Sequence, residues 1–124
     1  MIDFSNVAFV KLTPVNEKIF GYQVHPLLIP GEEIIGTYQA LRDGVVFTSK
    51  RIITVNIQGL SGKKMDMTSL PYNKIQAFSV ESAGVIDFDS ELDIWFAGIG
   101  KVRFEFAPQT DITDICQMLS SKIL

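Results

Sequence analysis

The chain is expected to be mainly β: seven antiparallel strands forming a barrel or sandwich, closed by one C-terminal α-helix and preceded by a short helical segment. Three observations predict this class. Between residues 33 and 106, apolar and polar residues alternate with a period of two, run after run, as strands with one face toward a core require. Gly, Pro, Asp and Ser separate these runs at short intervals, which is hairpin punctuation. After Pro108 the period lengthens, and Ile112, Ile115, Cys116, Leu119 and Ile123 fall on one helical stripe.

Each element can be justified in turn. Residues 1–12 carry Phe4, Val7, Ala8, Val10 and Leu12 in a loose apolar pattern, read as a short helix or a wrapped arm. Thr13-Pro14 then reads as a helix start, because Thr can cap free amides and Pro at the first helical position leaves none unsatisfied. Val15, Ile19 and Tyr22 lead at near-helical spacing to Val24, and His25 before Pro26 should end the helix.

The first strand is expected over 33–41, with Ile34, Tyr38 and Ala40 on one face and Ile35, Thr37 and Leu41 on the other. Apolar residues on both faces imply cover from both sides, with the N-terminal segment on the outer one. Asp43-Gly44 reads as a hairpin turn, followed by a second turn at 48–51. Ile53, Val55 and Ile57 then share one strand face, and Gly59 to Gly62 makes a further turn before Met65 and Met67 resume the alternation.

Pro71 interrupts the pattern, and residues 74–82 restore it with Phe78 and Val80 on one face. Ile75 is out of phase with them, which predicts a bulge near Gln76. A loop covers 83–90. Leu92, Ile94 and Phe96 then alternate with Asp93 and Trp95, and after a turn at 98–100 Val102, Phe104 and Phe106 form the last strand. Asp111 and Asp114 sit at the positive end of the final helix and Lys122 at its negative end.

The totals bound what such a fold can do. At 124 residues the chain suits one domain with a real core, and 47% apolar content with nine Phe excludes a disordered chain. A net charge of −3 lacks the basic footprint of a nucleic-acid binder, so no nucleic-acid partner is expected. No apolar run reaches the roughly 18 residues of a membrane span, no basic start precedes an apolar stretch, and Cys116 stands alone. Together these features give a cytoplasmic expectation.

From residue 28 onward the chain resembles the bacterial pleckstrin-homology (PH)-like domain family. The resemblance rests on Leu28-Ile29-Pro30-Gly31-Glu32-Glu33-Ile34, on the run from Arg42-Asp43-Gly44-Val45 through Lys50-Arg51-Ile52-Ile53, and on Pro71-Tyr72-Asn73-Lys74-Ile75 leading to residues 81–95. It divides the chain into an N-terminal helical arm, 1–27, and a PH-like domain, 28–124. It implies a seven-stranded barrel capped by one helix, no catalytic residue and no cofactor. It also implies a homo-oligomer of ring-forming type that binds protein or peptide. Phosphoinositide-binding relatives use a basic first hairpin, whereas this one is Leu41-Arg42-Asp43-Gly44, with little to pair with a multivalent phosphate.

Lys50, Arg51, Lys63 and Lys64 lie on neighbouring turns; they either converge as a basic patch or are solvated turn charges, and the alternative function, peripheral contact with anionic lipid, depends on the first reading. Asp87, Asp89 and Glu91 occupy alternate positions after Glu81 but lack the Gly and the bidentate Glu of an EF-hand loop, so charged-loop roles are favoured and no metal site is expected. Gly59 to Lys64 lacks phosphate-loop spacing and reads as a hairpin turn. His25 reads as a helix-end residue and Cys116 as a small hydrophobe. Trp95 points away from Leu92, Ile94 and Phe96, so either the N-terminal segment or a partner must cover it. The binding candidates are therefore Trp95, Lys50, Arg51, Lys63 and Lys64.

Overall fold

The computed structural model of the chain describes residues 8–81 and 89–124. Eight strands and two helices follow in the order β1 (Ala8–Pro14), α1 (Lys18–Val24), β2 (Ile34–Ala40), β3 (Asp43–Thr48), β4 (Arg51–Gln58), β5 (Lys64–Pro71), β6 (Ile75–Glu81), β7 (Ser90–Phe96), β8 (Gly100–Phe106) and α2 (Ile112–Ile123). Short 3-10 turns occupy His25–Leu27 and Tyr72–Lys74. The strands form one curled sheet, a half-barrel in the order β5-β4-β3-β2-β1-β8-β7-β6, and α2 packs into its open side.

Two expectations fail at the N-terminus. The described part of 1–12 is strand, not helix or loose arm, so the described sheet has eight strands instead of seven. β1 pairs antiparallel with β2 but parallel with β8, which makes one exception to an otherwise antiparallel sheet. The irregular apolar pattern has a physical cause: the register slips between Phe9 and Leu12, where Lys11 takes a φ of 60°, so the alternation that marks a strand is broken in the middle. Phe9 and Leu12 are nonetheless both buried. Thr13-Pro14 ends this strand and does not open the helix; α1 starts at Lys18, whose amide donates to Asn16 Oδ1 at 2.9 Å.

The first hairpin is also displaced. Ala40 pairs with Asp43, so the two-residue turn is Leu41-Arg42, with Leu41 at a φ of 54° and its side chain fully exposed. Asp43 and Gly44 instead begin β3. Asp43 Oδ1 accepts the Ile57 amide at 2.7 Å, and Gly44 lets α1 approach the sheet, since a Cβ there would lie 2.2 Å from Phe20 Cε2.

The remaining strands and the C-terminal helix lie where the pattern put them, including the bulge between Ile75 and Ala77, while most of the expected 83–90 loop lies outside the described residues. Within β2 the register shifts between Ile34 and Gly36, so Ile34 joins the outer cluster and does not share the inner face of Tyr38 and Ala40. The core has two parts. Inside the curl, Phe47, Ile52, Leu92, Ile94, Phe104 and Phe106 meet Ile115 and Leu119 of α2. On the outer face, Phe20 and Val24 of α1 cover Val46 of β3 and Ile53 and Val55 of β4. The helical cover expected over the first strand therefore falls on its neighbours, and Ile35 and Leu41 stay exposed.

Candidate functional site

Among the described residues β6 is the last strand on one side of the sheet and has a single hydrogen-bonded neighbour, β7. Its other edge presents backbone donors and acceptors that have no strand partner among the described residues. The register places Phe78 opposite Ile94 and Val80 opposite Leu92, so both point to the inner face. Where the sheet stops, α2 runs alongside and leaves a groove of about 460 Å³ lined by Val80, Ile112, Thr113, Cys116, Gln117 and Ser120. Val80 is 43% exposed there, and burial lifts the Cys116 thiol above its ordinary pKa, which leaves it a protonated, apolar wall.

The outer face of β6, β7 and β8 is different in character. Three cross-strand rows are stacked along it: Ala77, Trp95 and Lys101; Ser79, Asp93 and Arg103; Glu81, Glu91 and Glu105. In the middle row Arg103 holds both oxygens of Asp93, at 2.8 and 3.0 Å, and this keeps the Asp93 carboxyl below its usual range. In the acidic row a hydrogen bond with Asp89, then burial, then the charges of Asp89 and Glu91 raise the Glu105 pKa.

The sequence-derived candidates are dispersed over these features. Trp95 does lie on the outer face, 38% exposed, with Lys101 Nζ 5.8 Å from its ring centroid. β1 lies in the sheet beyond β8, and α1 packs over the strands on the other side, so neither lies on Trp95. Lys50 and Arg51 stand at one end of the β4–β5 hairpin and Lys63 and Lys64 at the other, about 25 Å apart along β4. They form no single patch. Asp87 lies outside the described residues, and among those described no three metal-ligating side chains come together.

Arg51 has an internal role that the sequence reading missed. Its guanidinium donates to both Glu32 oxygens at 3.0 and 2.9 Å, to the Leu27 carbonyl at 2.6 Å and to Ser69 Oγ at 3.0 Å. Thr48 Oγ1 lies 2.5 Å from Glu32 Oε2 and accepts the Lys50 and Arg51 amides. Tyr72 donates its hydroxyl to the Thr48 carbonyl at 2.7 Å. The Arg51 hydrogen bonds lower the Glu32 pKa from 4.5 to about 2 against the opposing effect of burial. This network ties the 27–33 loop to the β3–β4 turn. The only sequence signal was a Glu after Pro30-Gly31 with an Arg three residues after a turn Thr, and nothing local links the two.

With sheet order, capping helix and free edge in place, the comparison with known proteins is decisive. The profile of the bacterial PH domain matches residues 3–123. The chain belongs to the bacterial PH domain family. It is 42% identical over 97 residues to Bacillus subtilis (strain 168) YjqA, covering 77% of this chain and 78% of that protein. YozO of the same organism is 32% identical over 101 residues, 82% of this chain and 87% of YozO. Among solved structures, a DUF1696 family protein with a pleckstrin-homology domain from Shewanella loihica PV-4 superposes with a TM-score of 0.80 at 33% identity, over 93% of this chain and 99% of that one. A pleckstrin homology domain from Shewanella amazonensis SB2B gives 0.67 at 36% identity, over 89% and 90%. In this chain β6 is one of the two terminal strands of the described sheet, and α2 lies beside it. Among the described residues no helix is long and apolar enough to cross a membrane.

Proposed function

We propose that this bacterial PH domain is a non-enzymatic, cytoplasmic binding and assembly module. Its contact is made by adding a strand to β6, from a second copy or from a protein or peptide, while apolar side chains enter the groove against α2. One observation carries the reading: a strand edge unpaired among the described residues and an apolar groove run side by side, so a single extended segment can satisfy backbone groups and bury side chains together. Trp95, one strand in from that edge, supplies an aromatic surface for the same contact. A head-to-tail contact of this kind, repeated by rotation, closes a ring.

The test is mass in solution. Light scattering over a hundredfold concentration range is expected to give species well above the 13.8 kDa chain, and Val80→Asp should return them toward the monomer. A monomer at every concentration removes the assembly half of the proposal. Lipid contact through Lys50, Arg51, Lys63 and Lys64 is not favoured, because Arg51 is engaged internally and the remaining lysines are split between two ends.

A further inference from the structure

A second cavity lies on the opposite side of α2 from the β6 groove, between α2 and the β2–β3 hairpin. It measures about 210 Å³, and Ile35, Tyr38, Phe47, Asp114, Ile115 and Met118 line it. Phe47 and Ile115 are buried, 1% and 5% exposed, and form its floor, whereas Asp114 is exposed and stands at its rim. The apolar lining suits a short alkyl stem. The polar groups suit a cation: no Lys, Arg or His lines the cavity, and Asp111 adds a second carboxylate at the same end of α2.

Two of these groups are unspent. Among the described residues neither the Tyr38 hydroxyl nor the Asp114 carboxylate has a hydrogen-bond or ion-pair partner, although Tyr38 is only partly exposed and its ring is fixed edge-on against Phe47 and Phe106, at 5.8 and 5.2 Å. Burial, and then the charges of Asp114 and Asp111, raise the Tyr38 pKa, which places both carboxylates within electrostatic reach of its hydroxyl. A cation at the rim would meet an aromatic ring, a phenol oxygen and a carboxylate together.

We infer that this cavity binds a short alkylammonium group, its stem against Phe47, Ile115 and Met118 and its charged head between Tyr38 and Asp114. The same chemistry is offered by a free aliphatic amine and by the lysine side chain of a polypeptide. The head remains at the wet rim while the stem is buried, so the charge is never fully desolvated.

The experiment titrates n-butylammonium into the uniformly nitrogen-15-labelled full chain and follows its amide resonances. Shifts confined to residues 35–38 and 114–118, absent with butyrate and weaker with n-butanol, are expected. Asp114→Asn should weaken binding about fivefold, the effect of one exposed ion pair. Met118→Trp, which fills the cavity, should abolish it and keeps the test alive if the first variant folds poorly. N-acetyl-lysine methylamide then separates the sources: binding at the same residues assigns the site to lysine side chains, and its exclusion assigns it to free amines. No site-specific shifts with n-butylammonium, n-butanol binding as tightly as n-butylammonium, or undiminished binding in Asp114→Asn overturns the inference. None of these outcomes touches the reading of β6, which contributes no residue to this cavity.

Discussion

At the scale of single residues, two positions carry constraints that their chemistry alone does not announce. Gly44 is needed for space, because Phe20 and the Tyr38 carbonyl occupy the volume of a Cβ, at 2.2 and 2.7 Å. Gly44→Ala should therefore push α1 off the sheet and cost about 1–3 kcal/mol, read as a lowered Tm; an unchanged Tm would show that the helix slides without penalty. Glu32 is the second. Its carboxyl is held ionised by Arg51 and Thr48, so its folded pKa, about 2, is below its ordinary 4.5. A depressed carboxylate contributes stability that is present above the unfolded value and is lost as pH falls from about 4.5 toward 2. Glu32→Gln is expected to flatten the acid limb of a Tm-versus-pH curve in that window, with a lower Tm at neutral pH; parallel curves for the two proteins would remove the network from the stability argument.

At the scale of elements, β1 and α2 complete the half-barrel, one within the sheet and the other in its open side. α2 follows the sequence rules closely: Asp111 accepts the Thr113 amide at 3.1 Å as N-cap, and Leu119 is wholly buried on the apolar stripe. Asp111→Ala should cost about 1 kcal/mol and Leu119→Ala about 2–5 kcal/mol. β1 is less obvious. Leu12 is as buried as Leu119, and the Ala107 amide donates to its carbonyl at 2.8 Å, so the strand is part of the half-barrel and not an appendage. Leu12→Ala is expected to destabilise as much as Leu119→Ala in urea unfolding. A loss under 1 kcal/mol would mean that the sheet holds together without its N-terminal strand.

Across the whole molecule, one row on the outer face of β6, β7 and β8, Glu81, Glu91 and Glu105, sets like charges directly opposite one another, which costs stability in a sheet. The sign is the reverse of that at Glu32. Glu105 has a raised folded pKa, so the folded state holds its proton more tightly and stability falls as pH rises above the ordinary 4.5 through the folded value. Glu105→Gln should accordingly raise Tm at pH 7 and have a shrinking effect toward pH 4; equal Tm values at pH 7 would mean that Lys11 and Arg103 already balance the row. The same scale explains what was legible in the sequence. Period-two runs with strong turn residues, such as those ending at Gly59 to Gly62, gave their strands because each residue's face is fixed by its neighbours. Asp43-Gly44 misled because the same residues that favour a turn also suit a strand end that caps Ile57 and admits Phe20.

The amino-acid order by itself determined the mainly β class, the capping helix with its buried stripe, the inward set Leu92, Ile94, Phe96, Val102, Phe104 and Phe106, and the outward Trp95. All of these are local periodicities, fixed by bond geometry over a few residues. The tertiary structure alone decided that β1 fills the gap between β2 and β8, that Arg51 is committed to Glu32, that the four basic candidates do not converge, and that α2 leaves an apolar groove on one flank and an acidic-rimmed cavity on the other. Those are relations between segments far apart in the chain, and they depend on how a sheet curls and where it stops, which no window of sequence encodes.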